Sequence, residues 1–245
     1  MKKYDNENRA GVLRRTATEV RNYRVHMKFL SLALALLAIV TGVLYAAAAL
    51  YKQSGSFTVS VDKYEHTQYG LTLSESRDMS YKTSQLNANI SKQMTNIDAN
   101  VIPDNVDMID GEHNGDHYIA YTFYLQNAGQ HEVAVNYSLK MSGITNSLDE
   151  AIRVRLYVNG SATTYAKTAS DGSGPEPLVY GDPDSEKTTE FFSMSLVANE
   201  RIDSLMAEET VKFTVVIWIE GNDPDCIDWL IGGKLKIEML MNIAS

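Results

Sequence analysis

Residues 117–141 read HYIAYTFYLQNAGQHEVAVNYSLKM, and their alternation decides the fold class. Ile119, Tyr121, Phe123 and Leu125 fall on one side of an extended chain; Asn127-Ala128-Gly129-Gln130 interrupts; Val133, Val135, Tyr137 and Leu139 resume the period of two. Successive side chains of a strand point to opposite faces, so each run buries one face of a sheet. A loop containing Asn and Gly between two such runs predicts a β-hairpin.

The same alternation extends in both directions. Upstream lie GSFTVSV (55–61) and YGLTLSES (69–76); downstream lie AIRVRLYVNGSATTYAKT (151–168), TTEFFSMSLVA (188–198), ETVKFTVVIWIE (209–220) and KLKIEMLMNI (234–243). In the first downstream segment Ile152, Val154, Leu156 and Val158 precede Asn159-Gly160, whose tolerance of positive φ predicts a second, tight hairpin. Residues 52–245 therefore read as a mainly β domain, an antiparallel β-sandwich of jelly-roll type. Two stretches depart from the pattern: SQLNANISKQMTNIDANVI (84–102), a long strand or irregular, and ANERIDSLMAE (198–208), a candidate short helix. DGSGPEPLVYGDPDSEK (171–187) concentrates Gly and Pro and reads as a mobile surface loop.

Ahead of this domain runs FLSLALALLAIVTGVLYAAAAL (29–50), which carries no charge. At 1.5 Å per residue it makes a helix of roughly 33 Å, enough to cross a hydrocarbon core of about 30 Å. The chain thus divides into a basic tail (1–28), a single transmembrane helix (29–51) and the β domain (52–245). The formal net charge of −9 divides with it. The tail holds eight bases against three acids, and residues 51–245 hold 14 bases against 28 acids. Positive charge stays on the cytoplasmic side of a span, so the expected topology is tail inside, acidic domain outside. A retained signal anchor is expected, because the apolar run and its basic preface exceed the dimensions of a usual signal peptide. Cleavage near Ala48 or Ala49, giving a secreted protein, is the alternative. The tail segment RAGVLRRTATEVRNYRVHMK (9–28) can also form a basic amphipathic helix facing anionic lipid or a cytoplasmic partner.

These features exclude a basic nucleic-acid binder, and one cysteine, Cys226, excludes an internal disulfide framework. The chemistry-bearing residues gather in two acidic loops. PDNVDMIDGEHNGDHY (103–118) supplies Asp104, Asp107 and Asp110, and EGNDPDCID (220–228) supplies Glu220, Asp223 and Asp225. Oxygen-rich loops of this kind are Ca2+ candidates, although the EF-hand spacing is not met and turn formation alone accounts for Asp and Asn here. His113 and His117 stand four apart in a Gly-containing loop, not on the helix that H-E-x-x-H requires. No nucleophile elbow and no phosphate-binding loop occurs, so no catalytic residue and no resident cofactor is expected. Trp218 and Trp229 flank the second loop and are expected to pack beneath it rather than to stack on carbohydrate.

The order of GSFTVSVDKYEHTQYGLTLSES (55–76), PDNVDMIDGEHNGDHYIAYTFYLQNAG (103–129), AIRVRLYVNG (151–160) and FTVVIWIEGNDPDCIDWLIGGKLKIEM (213–239) resembles a group of uncharacterised, clostridial-type Gram-positive proteins, membrane-anchored or secreted. More distantly, the apolar N-terminal segment followed by G-x-F-x-V and a β domain resembles the TasA/camelysin group of biofilm-matrix proteins. The resemblance implies a jelly roll outside the membrane and self-association, or association with other surface or matrix proteins, through strand donation by GSFTVSVDK (55–63). The chain departs from the matrix group in its long basic preface and in lacking an FFSD-like start, and no camelysin catalytic residue has a match. The sequence thus predicts a non-enzymatic surface or matrix protein; a secreted fibre subunit and an anchored ligand-binding sensor are the alternatives.

Overall fold

The computed structural model describes residues 17–53, 56–89, 94–180, 182 and 185–244. The chain divides into two compact units, Met1–Lys52 and Gln53–Ser245. In the first, one helix, α1, runs from Ala17 to Gln53. Its stretch Arg21–Tyr45 is long and apolar enough to cross a membrane, as a span or as a signal sequence, and none of it is buried against protein. Ser31 and Thr41 do not interrupt it, because their hydroxyls donate back to carbonyls one turn earlier, Lys28 O and Leu37 O. No break falls at residue 28, so the described part of the basic tail continues the span's helix; residues 1–16 lie outside the described residues.

The second unit is mainly β. In chain order its elements are β1 (Ser56–Val61), α2 (Lys63–Tyr69), β2 (Leu71–Ser74), β3 (Gln85–Asn89), β4 (Gly111–Glu112), β5 (Tyr118–Asn127), β6 (Val133–Ser142), β7 (Ile152–Val158), β8 (Ser161–Ala166), β9 (Thr189–Glu190), β10 (Leu196–Leu205), β11 (Thr210–Ile219) and β12 (Lys236–Ile243). One sheet has the order β10-β6-β12-β1-β3; the other has β2-β5-β11-β7-β8-β9, with β4 also on β5. The two share one apolar core. Phe57, Val59, Leu139, Met141, Ile237 and Met239 enter it from the first sheet, and Tyr121, Phe123, Val154, Leu156, Phe213 and Val215 from the second. Tyr137 meets Phe213 edge-on at 5.3 Å across that interior, and Phe57 meets Tyr121 at 5.5 Å.

The expectation of wholly antiparallel sheets is corrected: β1 runs parallel to β12, with Phe57 beside Ile237, and β8 runs parallel to β9. The hairpin expected at 117–141 is corrected too. β5 pairs with β2, β4 and β11, whereas β6 pairs with β10 and β12, so residues 128–132 arch from one sheet to the other. Asn127 builds the arch: fully buried, it donates to the carbonyls of His131 (2.8 Å) and Leu205 (2.9 Å) and accepts from Gly129 N. The alternation itself holds: Val135, Tyr137 and Leu139 are buried as read, and Val133, at the start of β6, is half-buried against the core. A hairpin and an arch display the same period of two, and only the interior decides which forms. The second hairpin is present: β7 pairs with β8 around Asn159 (φ 50°) and Gly160 (φ 86°).

The candidate helix at 198–208 is instead mostly β10, held by pairing with β6, its Glu200, Arg201 and Asp203 exposed along a sheet edge. Residues 84–102 hold β3, an isolated bridge from Ile97 to Glu220 and a 3-10 turn at Ala99–Val101; 90–93 lie outside the described residues. Helix α2, capped by the Asp62 carboxylate on Tyr64 N and closed by Gly70 in the left-handed region, is one that the strand reading passes over.

α2 rests its end on the arch. A Cβ on Gly129 would stand 2.2 Å from Tyr69 O, a backbone atom that cannot swing away. Gly129→Ala is expected to cost about 1–3 kcal/mol, read as a lower midpoint in urea unfolding of the full-length chain. An unchanged midpoint would mean that the arch has room to relax.

Candidate functional site

β11 is buried on both faces. Val215 and Ile217 enter the shared core, while Val216 and Trp218 point outward into a second cluster with Ile97, Ile102, Val106, Tyr157 and Leu178. Segments outside the regular strands, the end of 84–102 and the loops after it, therefore form a cover over the outer face of the second sheet. The middle of 171–187 belongs to it, correcting the expectation of a surface loop for that part: Glu176 and Leu178 are buried and Thr168 bridges Pro175, while residues 171–173, 180, 182 and 186–187 are exposed.

Under this cover lies Arg153, on the outward face of β7 and without solvent exposure. Its Nη2 donates to Pro177 O at 2.9 Å and its Nε to the same carbonyl at 3.2 Å. Nη2 also stands 2.7 Å from Asp223 Oδ2, close enough for a full charge contact but off the N–H direction, so that oxygen receives no aligned hydrogen bond. Glu176, Asp223 and Asp225 each bring a carboxylate oxygen within 4.8 Å of the others. Glu176 Oε2 is buried with no hydrogen-bond partner among the described residues. Burial, reinforced by the charge of Asp223, pushes the Glu176 carboxyl above its ordinary range, and Arg153 opposes the shift only in part.

Local chemistry explains the loop. Pro224 cannot continue β11, and Asp223 Oδ1 accepts from Asp225 N at 2.8 Å, an Asx turn that holds the two carboxylates side by side. Glu176 is delivered by Pro175-Glu176-Pro177, whose flanking rings restrict the backbone, and Glu176 O accepts from Thr188 Oγ1.

Of the six expected metal ligands, the structure brings Asp223 and Asp225 together with Glu176. Glu220 is buried close by but stands outside that trio; it accepts from Trp218 Nε1 at 2.9 Å. Asp104, Asp107 and Asp110 are elsewhere. Asp107 pairs with Lys212 at 3.1 Å, near the start of β11, whereas Asp223 follows its end, about 25 Å away at strand rise. Asp110 accepts from Tyr124 Oη, Asp104 is exposed, and Asp107 and Asp110 line a cleft of about 600 Å3 with Arg77 and Lys212. The two acidic loops thus do not meet around one cavity. His113 has both ring nitrogens within hydrogen-bond distance of carbonyls (Gly111 and Val106), and His117 Nδ1 faces Thr95 Oγ1, so the two form no shared site.

Sequence reading missed Glu176 and Arg153. An acid locked between two prolines was the available signal for the first. Arg153 alternates out of phase with Ile152 and Val154, which marks it for a solvated face unless something covers that face. Trp218 packs as expected, with Arg155 over its ring at 5.4 Å; Trp229 is exposed, contrary to its expected packing.

Glu220 is expected to make the domain's stability depend on pH. Burial raises its carboxyl above the ordinary 4.5, against weaker lowering by its hydrogen bonds from Trp218 and Asn222 and by Arg153. An acid raised on folding binds its proton more tightly in the native state. Its stabilising contribution is complete below the unfolded value of 4.5 and is lost as pH rises through the folded value. In chelator, Glu220→Gln is expected to flatten the decline in melting temperature as pH rises from about 5 toward neutrality; an unaltered slope would show that other groups set it.

No family model matches the chain, and no curated protein matches it. Among solved structures, a β-glucosidase from Kluyveromyces marxianus in complex with glucose aligns with 69% of this chain at 9% identity and a TM-score of 0.23. The aligned part spans 16% of that enzyme's chain.

Proposed function

We propose that this is a non-enzymatic, membrane-tethered surface protein that holds an acidic β domain outside the cell for adhesion, matrix assembly or envelope organisation. The observation that carries the reading is a helix long and apolar enough to cross a membrane, exposed over Arg21–Tyr45, in one chain with a β unit that closes its own core. The basic residues ahead of the span support an inside tail and an outside domain. Repeated passage of the chain between two sheets supports a β-sandwich of the jelly-roll kind.

The test is protease treatment of intact cells expressing the full chain tagged at both ends. The reading expects loss of the C-terminal tag and protection of the N-terminal one; the reverse pattern, or protection of both, would remove it.

A secreted, strand-donating fibre subunit is the second reading, favoured by one feature. β1 begins three residues after α1 ends and lies beside the last strand, where a neighbour's strand can replace it. N-terminal sequencing separates the two: a start at Leu50 or Tyr51 supports the fibre, an uncleaved N-terminus the anchor.

A further inference from the structure

We propose that Glu176, Asp223 and Asp225 bind one Ca2+ ion, which ties residues 175–178 to the end of β11. Two independent observations converge on this site. The three carboxylates present oxygens within 4.8 Å of one another, and oxygens bound to one ion at about 2.4 Å stand no farther apart than that. Separately, Glu176 is 2% exposed and its Oε2 has no hydrogen-bond partner among the described residues. A buried carboxylate oxygen left empty is expensive, and natural interiors rarely keep one without a use.

Charge selects the ligand class. Three carboxylates beside one guanidinium leave an excess of two negative charges, which a divalent cation neutralises. The donors are all oxygen, with no imidazole or thiolate; the one nearby thiol, Cys226, is raised above its usual value by burial and accepts from Asn96. That set suits Ca2+ or Mg2+ rather than zinc. Ca2+ is favoured because three carboxylates on two irregular segments supply a flexible cage, whereas Mg2+ requires near-octahedral geometry and keeps its waters. Arg153 is the positioning residue: through Asp223 and Pro177 O it sets both sides of the site without needing to touch the ion. The assignment goes beyond the surface reading above and stands without it.

The experiment uses full-length protein in detergent micelles, stripped with chelator and titrated with CaCl2 by calorimetry and by thermal melting. One ion per chain is expected, with a rise in melting temperature of about 5 °C or more at Ca2+ a hundredfold above Kd. Glu176→Gln and Asp225→Asn should each lose the heat of binding and the thermal shift. In chelator Glu176→Gln should melt no lower than the parent, because it removes an unpaired buried carboxylate. Asp110→Asn, in the other acidic loop, should keep the full response. Absence of any response in the parent, its persistence in both site variants, or its loss in Asp110→Asn instead would overturn the assignment. If Glu176→Gln fails to fold, the half-buried Asp225→Asn decides alone.

Discussion

Replacing Arg153 with Met is expected to lower the stability of chelator-treated protein by about 3–5 kcal/mol, a fall in melting temperature on the order of 10 °C. Arg153 is the cation that faces Asp223 under the cover, and it is fully buried. Met fills similar space but leaves Asp223 next to the already raised Glu176 with nothing positive between them. It also strips Pro177 O of two donors. Breaking a buried pair from one side costs far more than the pair itself contributes, because the surviving charge stays out of water. Two further variants sharpen the test. Arg153→Lys keeps the charge but not the planar fork, and should fall between the parent and Met. Adding Asp223→Asn to Arg153→Met should recover a good part of the loss, since the orphaned charge goes with it. A cost below about 1 kcal/mol for Arg153→Met would mean that water reaches the site, as at an exposed ion pair.

Phe213→Ala should cost as much for a different reason. Phe213 has no exposed surface, stacks on Phe123 at 5.4 Å and 8° on the neighbouring strand, and takes Tyr137 of the opposite sheet edge-on at 5.3 Å. Truncation leaves a cavity between two sheets, each held in place by its own ladder of backbone hydrogen bonds, so neither can collapse into it. The expected loss is about 3–5 kcal/mol, seen as an earlier urea transition with unchanged slope. Phe213→Leu should lose less than half of that. Leu240→Ala, on the outward side of β12, should stay within about 0.5 kcal/mol. Equal effects at 213 and 240 would contradict the placement of the core.

The two sites also differ in how they could be seen beforehand. Phe213 belongs to the alternation Val211, Phe213, Val215, Ile217, Ile219, of which the first four are buried and Ile219, at the strand's end, is half-buried against the core. Arg153 sits between Ile152 and Val154, both buried, on the face that the same pattern assigns to solvent. The pattern reports which residues share a face; it does not report whether another segment lies over it. Here Ile102, Val106 and Leu178 do, drawn from one stretch read as a long strand or irregular and two read as loops. Asp223 and Asp225 were legible as a pair because Pro224 and an Asx turn act within three residues. Their third partner was not, because the contact with Glu176 is made by the cover.

What the sequence determined by itself was everything governed by local physics. This includes the apolar helix set by composition and length, the strands and their inward faces set by period two, and the Asn159-Gly160 turn set by tolerance of positive φ. What only the tertiary structure decided was partnership. It made 128–132 an arch instead of a hairpin, laid β1 parallel to β12, buried Arg153, and brought Glu176 to Asp223. Pairing of strands and of charges remote in sequence is chosen by the summed burial of a whole interior, and no short window of residues carries that sum.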